Sequence, residues 1–173
     1  MAAGAVLAGM AQGALAASVA ASGNAFKVSG DRLEGSGFTV VPGTYTEPGG
    51  SRHPVLVVTA REARLENLCV SLLLPELLGQ RMTVVVKAGT SRPVRATGLS
   101  VNADRAFGDL RLTDVSAQAF GASKDGDGPG GLSGKASRLV VHDPRFTGWQ
   151  GAAGSFHLQD LDIRLKPGEH ECF

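Results

Sequence analysis

The stretch DLRLTDVSAQA, residues 109–119, decides the fold. Apolar side chains stand at Leu110 and Leu112, alternation breaks at Asp114, and it restarts one residue out of phase at Val115, Ala117 and Ala119. Side chains on a strand alternate faces with a period of two, so the break marks a corner or a bulge, where one extra residue re-aims the chain. The pattern recurs: residues 63–72 break at Asn67, 94–103 at Gly98 and 156–165 at Asp160. Weaker copies start at Phe26, with a break at Gly30, and at Leu139, with a break at Asp143. Asn, Asp and Gly suit corners because they tolerate left-handed backbone, and Asn and Asp also bond locally through their side chains.

The units at Val94 and Leu110 stand sixteen residues apart, and those at Leu139 and Phe156 seventeen. Equal units with connections of six or seven residues predict stacked strands that bury one face against their neighbours. The expected fold is all-β: bent antiparallel strands in a sandwich or groove-like sheet. A β-solenoid with the break residues at its corners is the alternative, and a solenoid would show a more uniform repeat.

The 173 residues suit one domain with a real core. A net charge of +1 with both signs scattered, and 5% aromatic residues, leaves no basic stripe for a nucleic acid. The first charged side chain is Lys27, and residues 1–20 are rich in Ala and Gly. Ala14-Leu-Ala16 followed by Ala17 has the small-x-small form of a signal-peptidase site, without the usual positive residues ahead of it. Residues 1–20 therefore read as an apolar helix, a signal cut near Ala16 or Ala17 or else a retained membrane anchor, followed by one β domain over 26–173. That reading places the protein outside the cell or at its surface. The two cysteines, Cys69 and Cys172, fit an oxidising compartment. A disulfide between them would pin the tail to the second repeat, and on the chain-entropy model closing so long a loop contributes at most ~4.7 kcal/mol.

Residues 42–52 read as a loop around the lone Tyr45, and 75–80 as a helical turn or a hairpin. The glycine-rich stretch 121–135 reads as a long flexible loop. The leucines at 72, 73, 74, 77 and 78 break alternation, as a core plug under a sheet edge or an exposed patch would. Trp149, between Gly148 and Gly151, reads as a core or lid residue.

No catalytic site is predicted. There is no G-x-S-x-G elbow, and the 131–134 GLSG stretch has the wrong spacing. His142-Asp143 and Ser155-Phe-His157 bring suitable atoms together in sequence, but at expected strand edges. Glu169-His-Glu-Cys172 offers metal-ligand types that adjacent positions rarely converge on one ion, and Asp125-Gly-Asp127-Gly lacks the distal Glu of a calcium loop. No metal and no cofactor are expected.

Several segments carry a family resemblance: AQGALAAS (11–18), FKVSGDRLEGSGF (26–38), HPV (53–55), ENLC (66–69), GSFHLQDLDIRL (154–165) and the terminal ECF (171–173). Together they resemble an uncharacterised actinobacterial family of secreted or surface proteins, the 6230 family of unknown function, over nearly the whole chain. The resemblance implies an exported protein with cysteines at these two places, often encoded beside a small integral-membrane protein, which would be a partner. Some relatives carry the label cholesterol esterase, a label the residues here do not support. The expected function is that of a non-enzymatic structural or interaction module of the cell envelope. The alternative is a lipid- or sterol-binding protein with a β groove, which a continuous apolar cleft larger than the core needs would favour. The esterase is the third reading.

Overall fold

The computed structural model describes residues 15–20, 24–77, 79–120 and 131–173. Ten strands make one sheet: β1 (Leu15–Ala20), β2 (Phe26–Ser29), β3 (Arg32–Thr46), β4 (Arg52–Glu66), β5 (Leu68–Leu77), β6 (Gln80–Ala88), β7 (Val94–Thr113), β8 (Ser116–Phe120), β9 (Gly131–His157) and β10 (Asp162–Pro167). Every described pairing is antiparallel.

The strands join into four long limbs. β2 and β3 run in one register along β9, from Phe26 opposite Gly148 to Val40 opposite Gly134. The same limb runs in one register along β5 and β4, from Phe26 opposite Leu72 to Thr46 opposite Arg52. β6 and β7 follow beside β5 and β4, and β9 and β10 follow beside β7 and β6.

The repeat in the sequence is the circuit of this sheet. One transverse line passes from Leu112 to Leu139, Gly35, Ala63, Ala96 and Phe156, each paired with the next. The line enters β7 at Leu112 and meets β7 again at Ala96; it crosses β9 at Leu139 and again at Phe156. The sheet thus winds back on itself as a spiral in which one circuit takes sixteen or seventeen residues of strand. The units at Val94 and Leu110 therefore lie on one continuous strand, and so do those at Leu139 and Phe156; the expected connections between them are strand.

The corners fall where alternation breaks. Asn67, Gly98, Asp114, Asp143 and Asp160 all have left-handed backbone, with φ between 49° and 58°. Side chains other than Gly pay about 1–2 kcal/mol there, and Asn and Asp offset this by local hydrogen bonding. The corners also bond across the sheet: Asp143 N–H donates to Asp31 O (2.9 Å), Asn67 N–H to Gly89 O (3.1 Å) and Gly89 N–H to Gln159 O (2.6 Å). Ser91 donates its N–H (2.9 Å) and its hydroxyl (2.5 Å) to the Asp160 carboxylate, which holds that carboxyl below its usual range. Gly30 differs: its φ is ordinary, and it is small because a Cβ would stand 2.6 Å from Leu65 Cδ1.

The interior holds three small buried clusters, around Phe26 and Leu65, around Phe38 and Leu139, and around Ala63, Ala96 and Ala153. At the β5–β6 end the C-terminal tail crosses the outer face of the sheet. Thr83 donates to Gly168 O (2.7 Å) and accepts from His170 N–H (3.1 Å), and Ser71 accepts from Cys172 N–H (3.0 Å). Beneath this strap Thr83 and Ser71 are almost wholly buried, and both are hydrogen-bonded, as buried hydroxyls must be.

Three expectations need correction. Leu15–Ala20 is strand β1, paired with β9, not helix, because the free edge of Gln150–Phe156 offers its backbone a ladder; residues 1–14 lie outside the described residues. Of the expected loop 121–135, residues 131–135 are the start of β9, where glycine does not prevent pairing with β8 and β3; residues 121–130 lie outside the described residues. Of the expected loop 42–52, only Glu47–Ser51 turns, because Pro42 sits in a hairpin whose ladder runs to Thr46 opposite Arg52. Of the two readings offered for 75–80, the hairpin is the one found: β5 ends at Leu77, which stands opposite Gln80 at the start of β6, and residue 78 lies outside the described residues.

Candidate ligand-binding cleft

The cleft begins as a failure of pairing. β4 accompanies β7 only as far as Leu56 opposite Ala103; Arg52–Val55 go on without it. Beyond that point β7 is irregular against β9, with register shifts between Asn102 and Ala103, Ala103 and Arg105, and Phe107 and Asp109. Bulges bend a strand and raise its twist. Gly108 sits in one of them with φ 146°, where a Cβ would stand 2.5 Å from Val141 Cγ1. β7 therefore curves away from the β3–β4 hairpin, and a wedge opens between them.

The far end of that hairpin is held elsewhere. Tyr45 and His53 face each other across β3 and β4, and both stack on Trp149 of β9, at centroid distances of 5.8 and 4.2 Å. Trp149 Nε1–H donates to Asp104 (3.2 Å), and His53 Nε2 pairs with Glu47 (2.6 Å). Trp149 is thus a strand residue that latches the hairpin tip. The wedge stays open because the hairpin is anchored above it.

The resulting cleft has a volume of about 340 Å³. Val40, Leu56 and Val58 of the hairpin form one wall, and Ala103, Ala106, Phe107 and Leu110 of β7 the other. Pro144 and Phe146 of β9 also line it, and Arg145 is the one charged residue among the lining. A second, deeper cavity of about 170 Å³ lies between the Phe26–Leu65 cluster and β7. Leu33, Leu99, Val101 and Phe146 line both, so one layer of apolar side chains divides them. Leu56, Phe107 and Leu110 at the mouth are 46%, 57% and 55% exposed. Apolar surface left open beside an apolar hollow is the pattern of a site that takes an apolar guest.

The other candidates fall out differently. The Cys69 and Cys172 sulfurs stand 2.08 Å apart, at disulfide distance. Their neighbours account for the terminal ECF: Glu171 pairs with Lys27 (2.7 Å), and the Lys27 ammonium donates to Phe173 O (3.0 Å) and lies over the Phe173 ring. In the 169–172 stretch Glu169 pairs with Arg81 and His170 donates to Pro167 O (3.0 Å), so these side chains point to different neighbours. Asp125 and Asp127 lie outside the described residues. Among the described residues no group of three or more His, Cys, Asp or Glu converges on a point that could hold a metal. Ser155 bonds Thr97 (2.5 Å), and Ser137 bonds Asp114 (2.8 Å). Among the described residues no serine hydroxyl is hydrogen-bonded to a histidine. Leu72, Leu73 and Leu74 are half-buried along β5, Leu72 against the Phe26–Leu65 cluster. The sequence does not single out Arg145 or Phe107. The one signal is the spacing of three from Phe107 to Leu110, out of step with the period of two.

A protein-family model described as a family of unknown function, DUF6230, matches residues 22–173. No curated protein and no solved structure matches the chain.

Proposed function

This chain belongs to that family of unknown function, and on that premise we propose that it is an exported binding protein for an anionic amphiphile, whose acyl or sterol-like body lies in the cleft. The cleft carries the reading. Its volume of about 340 Å³ falls within the range of small-molecule sites, and its walls are apolar. A chain filling it would cover Leu56, Phe107 and Leu110, and apolar area removed from water contributes about 25 cal/mol per Å². Arg145, the one charged residue among the lining, supplies the polar recognition, since a guanidinium binds carboxylate or phosphate through two parallel hydrogen bonds. The cysteine pair at disulfide distance supports export to an oxidising compartment. No part of this reading calls for bond making or breaking.

Titration of the delipidated full chain with a fluorescent fatty acid tests it. Saturable one-to-one binding, competed by palmitate, is expected. Arg145→Glu should weaken palmitate by roughly tenfold or more, the loss of one charge-assisted contact, and leave a neutral monoacylglycerol nearly unaffected. Absence of saturable binding of either compound would contradict the proposal.

A further inference from the structure

Among the described residues, one edge of the sheet without a partner is that of β10. β10 pairs with β6 along one edge, from Asp162 opposite Lys87 to Pro167 opposite Met82; among the described residues its other edge has no strand partner. Leu161, just before β10, and Ile163 and Leu165 on it are 42%, 54% and 58% exposed, and none of them lines the cleft. A free edge with a row of unpaired backbone groups is a template for another strand.

The sequence of that edge says which strand fits. From Asp160 to Lys166 it reads Asp-Leu-Asp-Ile-Arg-Leu-Lys, acids first and bases last, with an apolar residue at every second place. Laid antiparallel against itself about Ile163, the segment sets Asp162 opposite Arg164 of the second copy, and Leu161 opposite Leu165. Ile163 meets its own counterpart. Both faces match at once, one with opposite charges and the other with apolar pairs, and directly opposed pairs of either kind stabilise a sheet. A parallel pairing in register would set like charges side by side. The arrangement is isologous and closes at two copies, so it does not extend into a fibre. Pro167 has no N–H to offer a ladder, which confines the pairing to this short segment. The related D-L-R-L of β7 is less suited, because Leu110 there already lines the cleft.

We propose that two copies of this chain associate by antiparallel pairing of their β10 edges about a two-fold axis at Ile163. The inference stands independently of ligand binding. An interface this small belongs to the weak, transient class, so association is expected at roughly micromolar to tens of micromolar concentration. Sedimentation velocity over a concentration series of the full chain tests it. The native chain should pass from monomer to dimer. Arg164→Asp should weaken association by about tenfold or more by opposing carboxylates across the axis, and Asp162→Arg combined with Arg164→Asp should restore it. A native chain that stays monomeric throughout overturns the proposal. So does a dimer indifferent to Arg164→Asp, or a double exchange that fails to restore pairing. The restored double variant also separates loss of pairing from loss of folding.

Discussion

The two ends of the winding sheet are built from the same alternating strands and finish differently. At the β5–β6 end the tail crosses the outer face and seals Thr83 and Ser71 beneath it, and the inner face packs Ala88, 1% exposed, into the Phe26–Leu65 cluster. Among the described residues the β10 edge beyond is open. At the β7 end the strand bulges away from the hairpin, and Phe107 and Leu110 remain more than half exposed around a cleft. Alternation gives each strand an apolar face, but it does not decide whether that face is filled. What decides it is what packs against the sheet: the Phe26–Leu65 cluster inside and the cysteine-bearing tail outside at one end, and at the other a hairpin that is latched at its tip by Trp149 and stands off from β7.

The largest way to break the contrast is to unfasten the sealed end. Replacing Cys69 and Cys172 by Ala should lower unfolding free energy by about 2–4.5 kcal/mol, and urea denaturation measures it. The loss should expose Thr83 and Ser71, seen as faster exchange of the β5 and β6 amides in hydrogen–deuterium exchange, with the β7 amides unchanged.

Adding volume sharpens the contrast at intermediate scale. Ala88→Leu enters a filled region and should cost about 1–3 kcal/mol by overpacking. Ala106→Leu enters the cleft and should shift stability by less than about 0.5 kcal/mol, as substitutions away from packed features do. Equal losses in paired thermal or urea melts would mean that the two ends are packed alike.

The smallest effect is at a corner of the sheet. Hydrogen bonds from Ser91 hold the Asp160 carboxyl below its usual range. A carboxyl so depressed contributes stability above its unfolded pKa, and that contribution is lost as pH falls through the folded value. Ser91→Ala, which removes the hydroxyl bond and keeps the backbone N–H bond, should therefore raise the Asp160 pKa part of the way towards the ordinary aspartate value, as an NMR titration would show, and lessen this part of the acid dependence.

The corners were the legible part of the fold. Asn67, Gly98, Asp114, Asp143 and Asp160 announce themselves because a left-handed residue interrupts a period of two, and both signals are local. The spacing of sixteen or seventeen was legible as a number but not as a circuit, since its meaning is the closure of Leu139 onto Phe156 through three other strands. Long-range pairing also turned Leu15–Ala20 and the glycines at the start of β9 into strand, where local composition favoured helix and loop. The cleft was legible only as a general expectation of an apolar groove. Its place depends on where β4 and β7 part company, and its charged residue, Arg145, sits in a stretch of unremarkable composition.

The most direct test of the central claim is native mass spectrometry of the full chain beside its Ala106→Trp variant, each incubated with palmitate and each confirmed folded. The native protein should carry one palmitate per chain, and the variant, with an indole filling the cleft, should carry none while melting at the same temperature. Equal occupancy in both would show that the guest, if any, lies elsewhere, and would contradict the assignment of this cleft as the binding site.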